Sequence, residues 1–363
     1  MSIALIAAFI SSVSISLMII FDRLMVNDCY DKKPGLAWFV SSVVGGVLGF
    51  FVTGIVWLSY YLFSNVNLVE LLKDIWYPYG LWMILAGAFV AQYLRYYFRV
   101  FIPENDTDDI NETGIAMWLA SSPVFIILAI MLANSLGINF GIFQGLEKVN
   151  TTPLFILGVL ITTVGLVAFE KVGNAKLHEE GRKVYAKKIT IMMLFIVIYT
   201  LIVSSVMLTL GNLYSNMTAI AFAVLPFYWI GFSIGALLYT KSSFRTEVKN
   251  SWSSMTYFVI PIFVAEIIGM SIFFFEYIGL SGVDPTLVNL ILSTSVLLVY
   301  FLNYILKNIR TKIEKTGAKT WNFLSFTVSI DALPKAVGRN VKLEIVFIIL
   351  TLVGLNICLQ VVM

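Results

Sequence analysis

Ten apolar stretches, each of roughly 18–27 residues, run along this chain, and each is long enough to cross a bilayer as a helix. They cover residues 2–21, 36–62, 79–100, 114–136, 153–170, 188–210, 217–240, 254–278, 283–306 and 343–362, numbered here as spans 1 to 10. Hydrophobic residues make up 59% of the 363 residues and charged residues only 12%, whereas a soluble domain has about 25% charged residues. The surplus apolar surface has to face lipid, so we predict an all-α polytopic membrane protein and exclude a soluble enzyme.

Residue counts exclude several kinds of site and partner. The net charge of +3 comes from 24 basic and 21 acidic residues, which predicts no surface for nucleic acid. Cys29 and Cys358 are too few for a zinc cluster or a disulfide framework, and His178 is the single histidine. The sequence also lacks the glycine-rich phosphate loop of an ATP motor. We therefore predict no metal and no cofactor.

The distribution of lysine and arginine orients the predicted spans. Of the 24 basic residues, 22 lie in or beside the connections after spans 1, 3, 5, 7 and 9, and only Lys73 and Lys148 lie in the others. The odd-numbered connections are therefore predicted to be cytoplasmic, with both termini outside the cytoplasm. Span 1 has no basic n-region and no small-residue cleavage site, so we interpret it as a span and not as a signal peptide. The compact form favours a prokaryotic plasma membrane.

Short motifs of the first half of the chain recur in the second half in the same order. The matched pairs are Ser11-Ser12-Val13 with Ser204-Ser205-Val206, Gly45/Gly49 with Gly231/Gly235, Phe89-Val90-Ala91-Gln92 with Phe263-Val264-Ala265-Glu266, and Val164-Gly165-Leu166 with Val353-Gly354-Leu355. We interpret residues 1–170 and 188–363 as two five-helix repeats, joined by a basic cytoplasmic linker at 171–187. Because five is an odd number, the two repeats would be inverted, an architecture typical of transporters.

One long basic loop is predicted, at residues 307–342 of the second repeat. Its lysines and arginines, with Trp321, Phe323 and Phe326, predict a segment on the membrane surface, with a re-entrant piece as the alternative. The small-residue spacings at Gly45/Gly49 and Gly231/Gly235 predict close packing of spans 2 and 7 within the bundle, with homodimerisation as the alternative.

Motifs in spans 4, 5, 9 and 10 indicate a relationship to known transporters. They are Ser121-Ser122-Pro123-Val124-Phe125, Leu157-Gly158, Val164-Gly165-Leu166, Ser293-Thr294-Ser295-Val296 and Val353-Gly354-Leu355. With its basic central connection, the chain resembles the drug/metabolite transporter superfamily in its EamA-like form of two five-helix repeats. Family members often carry Gly-Glu where this chain has Leu132-Ala133-Asn134-Ser135, and the predicted outward termini look more like the rhamnose–proton symporter branch. The resemblance implies secondary transport without indicating the substrate.

Glu266 and Gln92 are polar residues that the repeat places at matching depths in the membrane. Glu266 lies about 12 residues into span 8, roughly 18 Å deep at 1.5 Å per residue, near the centre of a core about 30 Å thick. An acid at this depth is costly and indicates a functional site. We predict that Glu266 meets Gln92 at the midplane and either carries a coupling proton or contacts the substrate. The alternative is a protonated Glu266 that only hydrogen-bonds a neighbouring helix.

Further candidate residues lie towards the predicted cytoplasmic side of span 3. Arg95 and Tyr96 follow Gln92 on one helical face. An arginine there can bind a carboxylate or phosphate through two hydrogen bonds, or it can extend to the lipid headgroups instead. Asp22, at the predicted end of span 1, is either its ion-pair partner or an ordinary helix-end charge.

Aromatic residues supply the last candidates. Tyr228 and Trp229 lie in span 7 between Pro226 and Gly231, where the helix could loosen and offer flat faces to a sugar or nucleobase. The alternative is ordinary packing in the membrane. Glu276 lies near the predicted end of span 8 and is expected to be solvated.

The predicted function is secondary transport of a small polar metabolite by alternating access, by a monomer or a homodimer without enzymatic activity. One alternative is a membrane-embedded transferase acting on a lipid-linked substrate. Such an enzyme would need a polar catalytic cluster at one interface, and the only candidate is the acidic run at 104–112, which we interpret as a solvated loop. The other alternative is a partner subunit that transports nothing itself.

Overall fold

Long apolar helices dominate the fold. The structure is a computed structural model that describes residues 3–30, 33–63, 85–86, 88–90, 92, 110–137, 149–173, 198, 216–323, 326–333 and 341–362. Helices hold 88% of these residues. Five described segments are long and apolar enough to cross a membrane: Ile3–Phe21, Gly35–Val52, Val259–Leu280, Pro285–Thr316 and Lys342–Val362. The chain is therefore a mostly helical, membrane-embedded protein.

The described helices and strands follow one another in a simple order. They are α1 (Ile3–Asp28), α2 (Pro34–Phe63), α3 (Ile110–Ser135), α4 (Pro153–Gly173), α5 (Asn216–Tyr239), α6 (Ser242–Asn250), α7 (Trp252–Tyr257), α8 (Val259–Gly282), α9 (Pro285–Ser293), α10 (Ser295–Thr316), β1 (Thr320–Phe323), β2 (Phe326–Ser329), a 3₁₀ turn (Ile330–Ala332) and α11 (Val341–Val362). In the predicted numbering, α1 to α5 match spans 1, 2, 4, 5 and 7, α8 matches span 8, α9 with α10 matches span 9, and α11 matches span 10. Most of spans 3 and 6 and of the linker at 171–187 lies outside the described residues.

Proline and capping residues mark where several helices begin and end. The helices α2, α4 and α9 each begin at a proline, whose fixed φ suits the first turn of a helix. Asp284 caps α9 by accepting hydrogen bonds from the backbone N–H groups of Thr286, at 2.7 Å, and Leu287, at 3.4 Å. Gly317 ends α10 at φ +73°, a left-handed conformation that L side chains rarely adopt.

Three helix pairs form the main contacts of the described bundle: α4 with α11, α1 with α8, and α2 with α5. The helix α9 packs on α3, and α8 also contacts α2. Outward-facing positions carry large apolar side chains, such as Phe50, Phe51 and Ile55 on α2. Such a surface is suited to lipid, and the polar residues described below lie between the helices.

The segment predicted as a long loop at 307–342 is largely ordered secondary structure. The helix α10 continues to Thr316, past the predicted end of span 9, and β1 and β2 then form an antiparallel hairpin in which Trp321 pairs with Val328. Alternation explains the strands, because Val328 is buried in the core and Trp321 packs against it, whereas Thr327 and Asn322, on the other face, hydrogen-bond each other at 3.0 Å. The all-α prediction is therefore wrong for this segment, in which apolar and polar residues alternate over only four residues in each strand.

Candidate functional site

A polar cluster lies where α2 crosses α5 and α8. Glycines on α2 allow the close approach of α5. A methyl group added to Gly46 would stand 3.0 Å from Phe232 Cβ, and one added to Gly49 would overlap the ring of Tyr228. The predicted close packing of spans 2 and 7 at small residues is confirmed.

Glu266 of α8 is buried at this crossing, with 2% of its surface exposed. The hydroxyl of Ser41 donates a hydrogen bond to Glu266 Oε1. The other carboxyl oxygen lies against Gly45, where an added methyl group would stand 2.5 Å from Oε2 and 3.4 Å from Tyr228 Cε1. Glycine at position 45 therefore leaves the space that the carboxyl occupies.

Gln92, the predicted counterpart of Glu266, has corresponding surroundings. It is also 2% exposed, and its amide lies against Gly231 of α5, where an added methyl group would overlap Nε2 and stand 3.2 Å from Oε1. In the sequence, Gly231 is the match of Gly45, just as Glu266 is the match of Gln92. The contacts are therefore crossed, because the glycine of each half lies against the polar residue of the other half.

We call Ser41, Gly45, Gln92, Tyr228, Gly231 and Glu266 the central cluster. From Pro34 to Ser41 and from Val259 to Glu266 the chain advances seven residues, or about 10 Å at 1.5 Å per residue. Glu266 therefore lies less deep than the predicted depth of roughly 18 Å, because α8 begins at Val259 and not at residue 254. The neighbouring Ser42 is buried, and its hydroxyl has no hydrogen-bond partner among the described residues. A carboxyl, an amide and hydroxyls at this depth can exchange a proton and hydrogen-bond a polar ligand.

The predicted site residues separate into three groups. Glu266, Gln92 and Tyr228 lie in the central cluster. Trp229 is 58% exposed on the outer surface of α5 and lies apart from it. Arg95 and Tyr96 lie outside the described residues, as does the side chain of Asp22, a residue of α1.

Some buried polar residues differ from what the sequence predicts. Ser41 joins the site without having been predicted, although a pair of hydroxyls one turn before Gly45 in an apolar span was an available signal. Glu276, predicted to be solvated, is only 6% exposed. That prediction is wrong because α8 continues to Gly282, which leaves Glu276 inside the helix and not at its end.

A second contact between the two halves joins α4 to α11, and we call it the α4–α11 seam. A methyl group on Gly354 would stand 2.5 Å from both the backbone N and Oγ1 of Thr162. One on Gly165 would stand 2.5 Å from Thr351 Oγ1 and 2.9 Å from its backbone N. Each threonine hydroxyl donates to the carbonyl four residues earlier, at 2.8 Å. The two helices thus contact each other reciprocally through the same residue types.

Other buried acids serve contacts between helices. The Tyr300 hydroxyl donates a 2.6 Å hydrogen bond to Glu344 Oε2, which links α10 to α11. Asp284 accepts from the backbone N–H of Asn150 as well as capping α9. Burial raises the pKa of Asp284, and its backbone hydrogen bonds oppose that rise. Within the described ranges, no group of three or more His, Cys, Asp or Glu residues could hold a metal ion.

Comparisons with known proteins bear on the fold alone. No protein-family model matches the chain, and no curated protein matches it. Eleven chains of solved structures do match. One, described only as the crystal structure of a protein, is 13% identical with a TM-score of 0.55, and the match covers 98% of this chain and 98% of that chain. The two chains therefore share a fold along nearly their whole length.

Proposed function

We propose that the chain is a secondary transporter of a small polar metabolite, with ten spans in two inverted five-helix repeats of the EamA-like kind. The crossed contacts of the central cluster carry this proposal. In an inverted-repeat transporter the substrate site lies near the midplane, between equivalent parts of the two copies. Contact of Gly45 with Glu266 and of Gly231 with Gln92 is what such a site requires.

The α4–α11 seam supports the repeat through different residues. Gly165 and Gly354, Thr162 and Thr351, and Gly158 and Phe347 are three pairs with the same separation of 189 residues in the sequence. Gly354 contacts Thr162 and Gly158. Gly165, the counterpart of Gly354, contacts Thr351 and Phe347, which are the counterparts of those two residues. Each side of the seam therefore repeats the contacts of the other. Two copies of one ancestral unit, packed about a pseudo-two-fold axis, would produce this reciprocity.

Glu266 is the residue to which we assign coupling. An ionised carboxyl is costly inside a membrane. Binding a proton, or contacting a ligand, would lower the free-energy cost of burying Glu266. When ionised it accepts from Ser41, and when protonated it can itself donate to a ligand. The amide of Gln92, against Gly231, offers further hydrogen bonds to the same small polar molecule. Rocking of one repeat against the other would expose the cluster to each side of the membrane in turn.

Uptake into proteoliposomes tests this function. The purified protein is screened with sugars, amino acids and nucleotides, with and without a proton gradient. In Glu266→Gln, which keeps the shape and hydrogen-bonding capacity and removes the carboxylic acid, gradient-driven uptake should fall about tenfold or more while exchange persists. Glu276→Gln is the matched control, because Glu276 is a buried acid of the same helix outside the cluster.

Two results of the screen would contradict the proposal. If Glu266→Gln takes up substrate with an unchanged pH profile, Glu266 serves packing and not coupling. If no solute enters with any variant, the alternatives of a transferase or a partner subunit replace transport.

We also propose a plasma-membrane location with both termini outside the cytoplasm, on the evidence of the basic residues. A topology reporter fused after Met363 should report the outside, and one inserted near His178 should report the cytoplasm. The reverse result at both places would overturn the orientation, and with it the likeness to the rhamnose–proton symporter branch.

A further inference from the structure

The hairpin formed by β1 and β2 belongs to the connection between α10 and α11, yet its polar contacts reach α1. The backbone N–H and the hydroxyl of Ser329 donate hydrogen bonds to the two carboxyl oxygens of Asp28, each at 2.7 Å. Asp28 is the last residue of α1. A bidentate contact with a carboxylate is directional and stronger than a neutral hydrogen bond. The hairpin therefore holds the end of α1 at a defined position.

Arg310 fixes the other side of the same segment to α10. It is a buried cation, 8% exposed, that donates to the carbonyl oxygen of Leu333 and to Glu314 Oε1, the latter at 2.8 Å. Asp331 lies 4.0 Å from the same guanidinium. Since Glu314 belongs to α10 and Leu333 follows the hairpin, these bonds make the hairpin an extension of α10.

Apolar side chains complete the contact. Val328 of β2 and Leu333 are buried in one core cluster together with Cys29 and Tyr30, which follow α1. In the proposed repeats, α1 belongs to the first copy and α10 to the second. One segment of the second copy thus covers the end of the first helix of the first copy, on the side predicted to be cytoplasmic.

We propose that the hairpin is a latch that closes the cytoplasmic end of the transport path and releases Asp28 when that end opens. The inference rests on the proposed function, because alternating access moves one repeat against the other and so separates α1 from α10. The hydrogen bonds of Ser329 to Asp28 are the part that breaks. The bonds of Arg310 persist, because both of their ends move with α10.

Distances between spin labels test the latch without any substrate. Labels are attached at Lys33→Cys, beyond α1, and Lys312→Cys, an exposed position of α10, in a Cys29→Ala, Cys358→Ala background. Asp28→Ala should add a population at longer distance, and the milder Ser329→Ala should add a smaller one. Asp331→Ala is the matched control, because it removes an exposed carboxylate of the same segment that lies beside Arg310 of α10. Identical distance distributions in all four proteins would overturn the latch.

A reversible cross-link tests the same contact during transport. Asp28→Cys with Ser329→Cys, joined by a short bis-thiosulfonate reagent, should lower uptake tenfold or more, and a reductant should restore it. Asn322→Cys with Thr327→Cys is the control, because this cross-link joins the two strands of the hairpin and leaves α1 free of it. Full uptake by the cross-linked protein would show that the hairpin is a static cap. Failure of the proposed function would give a different result, because the cysteine-free parent would then take up no solute. The spin-label distances would still test the latch, since they are measured without transport.

Discussion

Two of the contacts between the halves of this chain, the α4–α11 seam and the central cluster, use glycine for different purposes. In the α4–α11 seam, Gly165 and Gly354 lie against the backbone nitrogens and the hydroxyl oxygens of two threonines. In the central cluster, Gly45 and Gly231 lie against the ends of the side chains of Glu266 and Gln92. In the seam, the lack of a side chain on glycine lets two helix backbones come close together. In the cluster, the same lack leaves space for a polar group.

This difference separates a fixed contact from one that can change. Backbone atoms of a packed helix cannot move without disturbing the whole helix, and both threonine hydroxyls of the seam already donate to carbonyls. A carboxyl or an amide at the end of a side chain can rotate by changing its own torsions. The seam is thus suited to hold the halves together, and the cluster is suited to exchange partners between them.

The largest effect on folding is expected in the seam. In Gly354→Ala the new methyl group would lie 2.5 Å from Thr162 backbone N, so the helices must separate, and we expect the free energy of unfolding to fall by about 3 kcal/mol. Chemical unfolding in detergent measures the change. Gly54→Ala is the control, because nothing lies within 4 Å of that position. Equal stability of the two variants would remove the distinction between seam and cluster.

A smaller effect on folding, with a large effect on transport, is expected in the cluster. In Gly45→Ala the methyl group meets Glu266 Oε2 and Tyr228 Cε1, which side-chain rotation can move away. We expect a loss of about 1 kcal/mol in stability and a tenfold loss of uptake, because Glu266 must leave Ser41.

Gly235→Ala serves as the control for this variant. Its added methyl group would stand 3.6 Å from the side chains of Phe39 and Val43, which is an ordinary van der Waals contact. If Gly45→Ala destabilises the protein as much as Gly354→Ala does, the cluster is as rigid as the seam and the comparison fails.

The smallest effect is a pH dependence at Asp284, which links α9 to Asn150, three residues before α4. Burial raises the folded-state pKa of this acid above its unfolded value. Its contribution to stability is therefore present below the unfolded pKa, about 3.9, and is lost as the pH rises through the folded pKa. Asp284→Asn keeps the cap without the titration, so its stability relative to the wild type should increase with pH above about 4. Parallel unfolding profiles of the two proteins, measured from pH 4 to 7, would contradict this.

Some members of the central cluster are visible in the sequence alone. Glu266, Gln92 and the glycine spacings stand out as departures from an apolar pattern, and the structure buries both polar side chains against glycines of the opposite half. The orientation of each side chain around its helix was not predictable in the same way. Tyr228 and Trp229 are neighbours in the sequence but lie about 100° apart around α5. Tyr228 is buried against the glycines of α2, whereas Trp229 is 58% exposed.

The sequence by itself determined that this is a membrane protein built of long apolar helices. A chain with so few charged residues would expose too much apolar surface if water surrounded it. Only the tertiary structure decided that Ser41 holds Glu266, that Glu276 is buried, and that a hairpin joins Asp28 to α10. Helix formation in a membrane follows from local hydrophobicity and backbone hydrogen bonding. The partner of a polar side chain, in contrast, depends on which distant helix packs beside it, and that choice is made by the shapes of two surfaces together.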